Sequence, residues 1–109
     1  GGPEGAARRA ALAGNVDYLR SQLNRNGFQT LGTPSAIVPV AIGEGAVARR
    51  MTSLMISSGV IVNLVESPAV AKNDSRWRLQ VMADHDVDQI DKLVASAIAS
   101  RQSTQVLQR

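Results

Sequence analysis

The stretch Arg76-Trp77-Arg78-Leu79-Gln80-Val81-Met82-Ala83 decides the architecture. Trp77, Leu79 and Val81 fall on one side of an extended chain and Arg76, Arg78 and Gln80 on the other, which is the period of a half-buried strand. One face of this strand must meet a core, while the other carries two guanidiniums and an amide. Downstream, Asp86-Val87-Asp88-Gln89 has the form of a capping box, with Asp86 accepting from the amide three residues on and Gln89 reaching back. A helix follows with Val87, Ile90, Val94, Ala97 and Ile98 along one side to about Ser100, and a frayed polar tail is expected over residues 102–109.

Upstream lies an irregular segment, Glu66 to Ser75, with Pro68 and Asn73-Asp74 in it. It is long for its neighbours, and a long loop held by a rigid scaffold is a common carrier of function. Val60 to Val65 reads as a strand, preceded by a helix that opens at Gly43-Glu44-Gly45 and ends at Ser57-Ser58-Gly59. Val47, Met51, Leu54 and Met55 mark the inward face of that helix. Ala36 to Ile42 is apolar throughout and reads as a strand covered on both faces. Pro39 interrupts it, so either its amide side is unpaired or the strand lies at an edge or bulge there.

Phe28 to Leu31 reads as a short edge strand before the turn Gly32-Thr33-Pro34-Ser35. Ahead of it, Leu12, Val16, Leu19 and Leu23 define one face of a first helix from about Ala6 to Asn24, stopped by Asn26-Gly27. Gly1 to Gly5 is set aside as a flexible cloning remnant or the cut end of a longer connection.

The order is helix, short strand, strand, helix, strand, strand, helix. It predicts one α+β domain over residues 6–101, a two-layer sandwich with helices packed on one face of a small mixed or antiparallel sheet of three to four strands. The other face, with Arg76, Arg78 and Gln80, is left without a cover.

Composition narrows the function classes. At 109 residues and 44% hydrophobic content the chain fits one domain, with Tyr18, Phe28 and Trp77 as its only aromatics. No cysteine is present, which excludes disulfides and cysteine-based zinc or redox sites. The net charge is +3, but the basic residues are scattered and no aromatics interleave with them, so nucleic acid is not the expected partner. The apolar run Ala36 to Ile42 is far short of the ~20 residues a membrane-spanning helix needs, so a soluble, cytoplasmic protein with no membrane partner is expected. No metal-spaced set, Ser-His-Asp arrangement or phosphate-cradling glycine loop appears.

Taken together, Ala36 to Gly43, Gly59 to Val62, Pro68-Ala69-Val70, Ser75-Arg76-Trp77-Arg78-Leu79 and Ala83-Asp84-His85 before an acidic helix start resemble the small C-terminal domain of the α-oxoamine synthases. The match runs from the first helix onward, and its specificity lies in the order and spacing of the pieces. The resemblance implies a pyridoxal-phosphate-dependent acyltransferase that condenses an amino acid with an acyl thioester, on coenzyme A or a carrier protein, with loss of carbon dioxide. It also implies a large cofactor-binding domain as partner and a homodimer as the complete enzyme.

Residue by residue, Arg78 falls at the family's carboxylate-binding arginine, a role suited to a planar fork that stays charged. From its residue type alone it reads as a surface strand arginine. Arg76 shares its orientation and is placed, with Glu66 and His85, at the possible rim. Glu66 departs from the pattern, since several members carry a basic residue there; it would pair with Arg78, meet a basic group on the substrate, or stand solvated. His85, the sole histidine, is of a residue type often used in catalysis, but its place beside a helix start suits a turn-fixing role. The only lysines, Lys72 and Lys92, lie outside the Ser/Thr-rich strand end that the family uses for its cofactor lysine. No catalytic or cofactor-binding residue is therefore expected here, and the chain alone should bind no cofactor and be inactive. The alternative is a self-sufficient α+β module that binds a ligand or protein through its exposed sheet face.

Overall fold

The computed structural model describes residues 2–107. Its elements are α1 (Gly2–Arg25), β1 (Gln29–Thr30), β2 (Ile37–Gly43), α2 (Gly45–Ser57), β3 (Asn63–Val65), β4 (Ser75–Gln80) and α3 (Val87–Leu107). The strands form one antiparallel sheet in the order β1-β2-β4-β3. This is the expected α+β sandwich in the expected order. Val38 and Val40 of β2, Trp77 and Leu79 of β4, and Val16, Leu19 and Leu23 of α1 join Met51, Met55, Ile90 and Val94 in one core between sheet and helices.

Trp77 is the centre of that core. Its side chain is fully buried and stacks on Phe28 at 6.0 Å between ring centroids. Burial leaves the indole N–H in need of an acceptor, which Thr52 Oγ1 of α2 supplies at 3.0 Å while donating to the Ala48 carbonyl. This pairing ties α2 to the sheet at one point. The buried residues are Ala48, Met51, Thr52 and Met55, whereas Val47 and Leu54, both expected inward, are half-buried.

Pro39 is accommodated without an edge. β2 lies between β1 and β4, and the Pro39 carbonyl accepts the Leu31 amide at 2.9 Å. In an antiparallel ladder the N–H and C=O of one residue point the same way, so the nitrogen of Pro39 also faces the β1 side. The Leu31 carbonyl there accepts from Arg20 Nη1 at 3.1 Å instead, and so no acceptor is orphaned. A register shift does occur, but further on, between Ala41 and Gly43.

Several boundaries differ from the sequence reading. β2 is not covered on both faces: Val38 and Val40 are buried, and Ile37, Pro39 and Ala41 on the opposite side are half-buried. β3 is shorter than Val60 to Val65, because the Val60 amide turns back to the Met55 carbonyl at the end of α2 and Ile61 is 90% exposed. α1 begins at Gly2, not Ala6; Pro3 is tolerated in a first turn whose amides have no helical partner. α3 continues to Leu107, past the expected end near Ser100, with Thr104 buried and its hydroxyl on the Ser100 carbonyl. Val87 points outward, 53% exposed. Gly1, Gln108 and Arg109, which fell in the segments expected to be flexible or frayed, lie outside the described residues. No helix among the described residues is long and apolar enough to cross a membrane.

Candidate functional site

The candidate site is the sheet face turned away from the helices. β4 places Ser75, Trp77 and Leu79 inward, so Arg76, Arg78 and Gln80 stand on the open side. Arg78 is exposed, with Pro39 of β2 opposite it on one flank and Asn63 of β3 on the other. Directly opposed residues bring their Cβ atoms within about 5 Å, so Asn63, also exposed, flanks Arg78 on this face. Sequence reading missed Asn63, because cross-strand register is set by tertiary pairing. No described residue gives Arg78 a carboxylate: the one ion pair among them joins Arg49 to Glu66.

Arg76 shares the face, one full strand repeat from Arg78, or about 7 Å. It is half-buried, its Nε donates to the Asp74 carbonyl at 3.4 Å, and it lines a depression at the Gly43 end of the sheet.

Glu66 is not placed with Arg78. Its carboxylate accepts from Arg49 Nη1 at 2.8 Å, a contact to α2 in the helical layer. The strand explains this: Asn63 and Val65 pair with Arg78 and Arg76, so the next residue turns to the other side. Arg49 stands on the exposed side of α2, where a carboxylate on the adjoining chain is the natural partner.

His85 likewise serves a turn. Its Nδ1 accepts the Met82 amide at 3.1 Å, which assigns the proton of the neutral ring to Nε2, and its backbone N–H donates to the Met82 carbonyl. The turn is held from outside by Asn15 of α1, whose amide donates to the carbonyls of Met82 at 3.0 Å and His85 at 2.9 Å. The capping box closes as expected: the Gln89 amide donates to Asp86 Oδ1 at 2.7 Å and the Asp86 amide to Gln89 Oε1 at 2.8 Å. The strand bearing Arg78 therefore leads into a pinned turn and a capped helix.

An antiparallel sheet with helices on one side and an exposed arginine on the other defines a two-layer α+β domain with one open sheet face. The sequence matches the aminotransferase class I and II family over residues 2–96, and the chain belongs to that family. Its relatives are of the α-oxoamine synthase kind. It is 37% identical over 93 residues to the 8-amino-7-oxononanoate synthase of Trichlorobacter lovleyi, covering 85% of this chain and 24% of that protein. It is 37% identical over 84 residues to the serine palmitoyltransferase of Sphingobacterium spiritivorum, covering 77% of this chain and 21% of that protein. Among solved structures, the serine palmitoyltransferase from S. paucimobilis with a bound PLP-myriocin aldimine superimposes with a TM-score of 0.83 at 26% identity, over 94% of this chain and 26% of that one. The chain thus spans about a quarter of the length of the proteins it matches.

Proposed function

We propose that this chain is the small C-terminal domain of a pyridoxal-phosphate-dependent α-oxoamine synthase, where Arg78 binds the carboxylate of the amino-acid substrate. The observation that carries this reading is Arg78 itself, exposed on the open sheet face with Asn63 beside it and no carboxylate of its own. A guanidinium fork takes a carboxylate through two parallel charge-assisted hydrogen bonds and orients it as well as holding it. Ile37, Pro39 and Ala41, half-buried on the same face, supply an apolar floor suited to contact with a companion domain that also shields the pair from water.

The lysines present do not fit a cofactor linkage. Lys72 is exposed in the loop before β4, and Lys92 is exposed on α3 among Asp86, Asp88, Gln89 and Asp91. Pyridoxal phosphate, the acyl thioester pocket and the homodimer contacts belong in this reading to a companion domain, and this chain's share of the work is to bind and orient.

The test is made in the full-length enzyme. Arg78→Ala is expected to raise the amino-acid KM about 30-fold or more, the equivalent of roughly 2–5 kcal/mol. The absorbance of the bound cofactor should not change, and Arg78→Lys should recover only part of the loss because it lacks the fork. A KM unchanged in Arg78→Ala removes Arg78 from the site, and a full-length protein that binds no pyridoxal phosphate sinks the assignment as a whole.

A further inference from the structure

Beyond Arg78 toward the start of β4, the open face leads into a depression of about 480 Å³, lined among others by Gln29, Gly43, Asp74, Ser75, Arg76 and Arg101. Two arginines from separate elements line it, Arg76 from β4 and Arg101 from α3, and neither forms an ion pair with a described residue.

Arg101 is held in place. Its Nη1 donates to the Gly27 carbonyl at 2.8 Å, and its Cζ lies 3.6 Å from the centre of the Phe28 ring, itself stacked on Trp77. Burial pushes its pKa below the ordinary arginine value, the mark of a cation partly withdrawn from water with no counter-charge. Arg76 uses only its Nε, in a long bond to the Asp74 carbonyl, so its terminal N–H groups are uncommitted. Ser75 also lines the depression, but its Oγ lies on the inward side of β4, buried without a hydrogen-bond partner among the described residues. One carboxylate, Asp74, also lines the depression, but it pairs with neither guanidinium.

We propose that this depression is a binding site for a phosphate-type oxyanion, gripped by Arg101 from the α3 side and Arg76 from the sheet. A single carboxylate is satisfied by one fork, whereas two forks from different elements suit a group with three acceptor oxygens and close to two charges. Arg78 does not line the depression, so the site stands apart from the carboxylate clamp and either can fail alone.

The test uses this chain labelled with nitrogen-15 and titrated with inorganic phosphate at constant ionic strength. A simple phosphate monoester in a second arm tells a free ion from an esterified group by which binds more tightly. Saturable shifts are expected in the Gly27, Gly43 and Ser75 amides and in the Nε–H signals of Arg76 and Arg101. Arg101→Gln also removes the contacts to Gly27 and Phe28, so Arg76→Gln is the cleaner variant and should weaken binding about tenfold. Asp74→Asn should strengthen it about two-fold by removing a like charge. Shifts that fail to saturate in both arms, that chloride or acetate reproduces, or whose midpoints are unmoved by both Arg76→Gln and Asp74→Asn would overturn the proposal.

Discussion

The two faces of β4 are made of consecutive residues and obey opposite rules. Inward, Trp77 and Leu79 are essentially without solvent exposure, and the one polar group at the tip of Trp77 is hydrogen-bonded. Outward, Arg76, Arg78 and Gln80 lie on a surface with no carboxylate partner for either arginine. The inner face carries the stability of the domain, and the outer face contributes little to it. In the proposed reading the outer face is where binding was built, because charge left unpaired by the fold is available to a ligand or a companion domain.

The comparison breaks most plainly if the inner face proves dispensable. Trp77→Ala should cost about 3–5 kcal/mol through lost burial and the cavity left behind. Urea denaturation followed by far-ultraviolet circular dichroism measures it, and for a domain of this size such a loss is a large share of the total stability. A smaller effect is expected from the polar tip alone. Thr52→Val keeps the shape but orphans the indole N–H, at a cost of about 1–3 kcal/mol. Recovery of that cost in the Thr52→Val, Trp77→Phe double variant, relative to Trp77→Phe alone, would show that the penalty lies in the unpaired donor.

The sequence disclosed the inner face more fully than the outer. Alternation in Arg76 to Gln80, the 0, 4, 7, 11 spacing of Leu12 to Leu23 and the Asp86–Gln89 box are local signals, and each reappears in the structure. What escaped is what depends on contacts between distant segments. The burial of Thr52 goes with its contact to Trp77, and the pinning of the Met82–His85 turn follows from Asn15, about seventy residues away in sequence. The Glu66–Arg49 pair is of the same kind: the composition of a loop does not say which face of the sheet its first residue turns to.

The start of α2 sharpens the comparison with a cap that depends on charge. Glu44 accepts from the Ala46 and Val47 amides at 2.8 and 3.1 Å, and these hydrogen bonds hold its carboxyl below the ordinary value of 4.5. Folding therefore favours the ionised form. Its contribution is fully present above pH 4.5 and is lost as pH falls through the lowered folded value. Glu44→Gln should be less stable than the parent at neutral pH, with the gap closing on acidification. Denaturation midpoints at a series of pH values read this directly, and a gap that is constant or widens toward acid would contradict the assignment.

The smallest expected effect separates the two faces best. Arg78→Ala in this chain should change the unfolding free energy by no more than about 0.5 kcal/mol, because the side chain is exposed and has no ion-pair partner to lose. Set against the large KM change expected in the full-length enzyme, that near-silence assigns Arg78 to binding and not to folding. A loss of 2 kcal/mol or more, on the scale expected of a buried group, would mean that Arg78 supports its own sheet. The open face would then be a structural surface like the inner one, and the physical argument for a carboxylate clamp would fall with it.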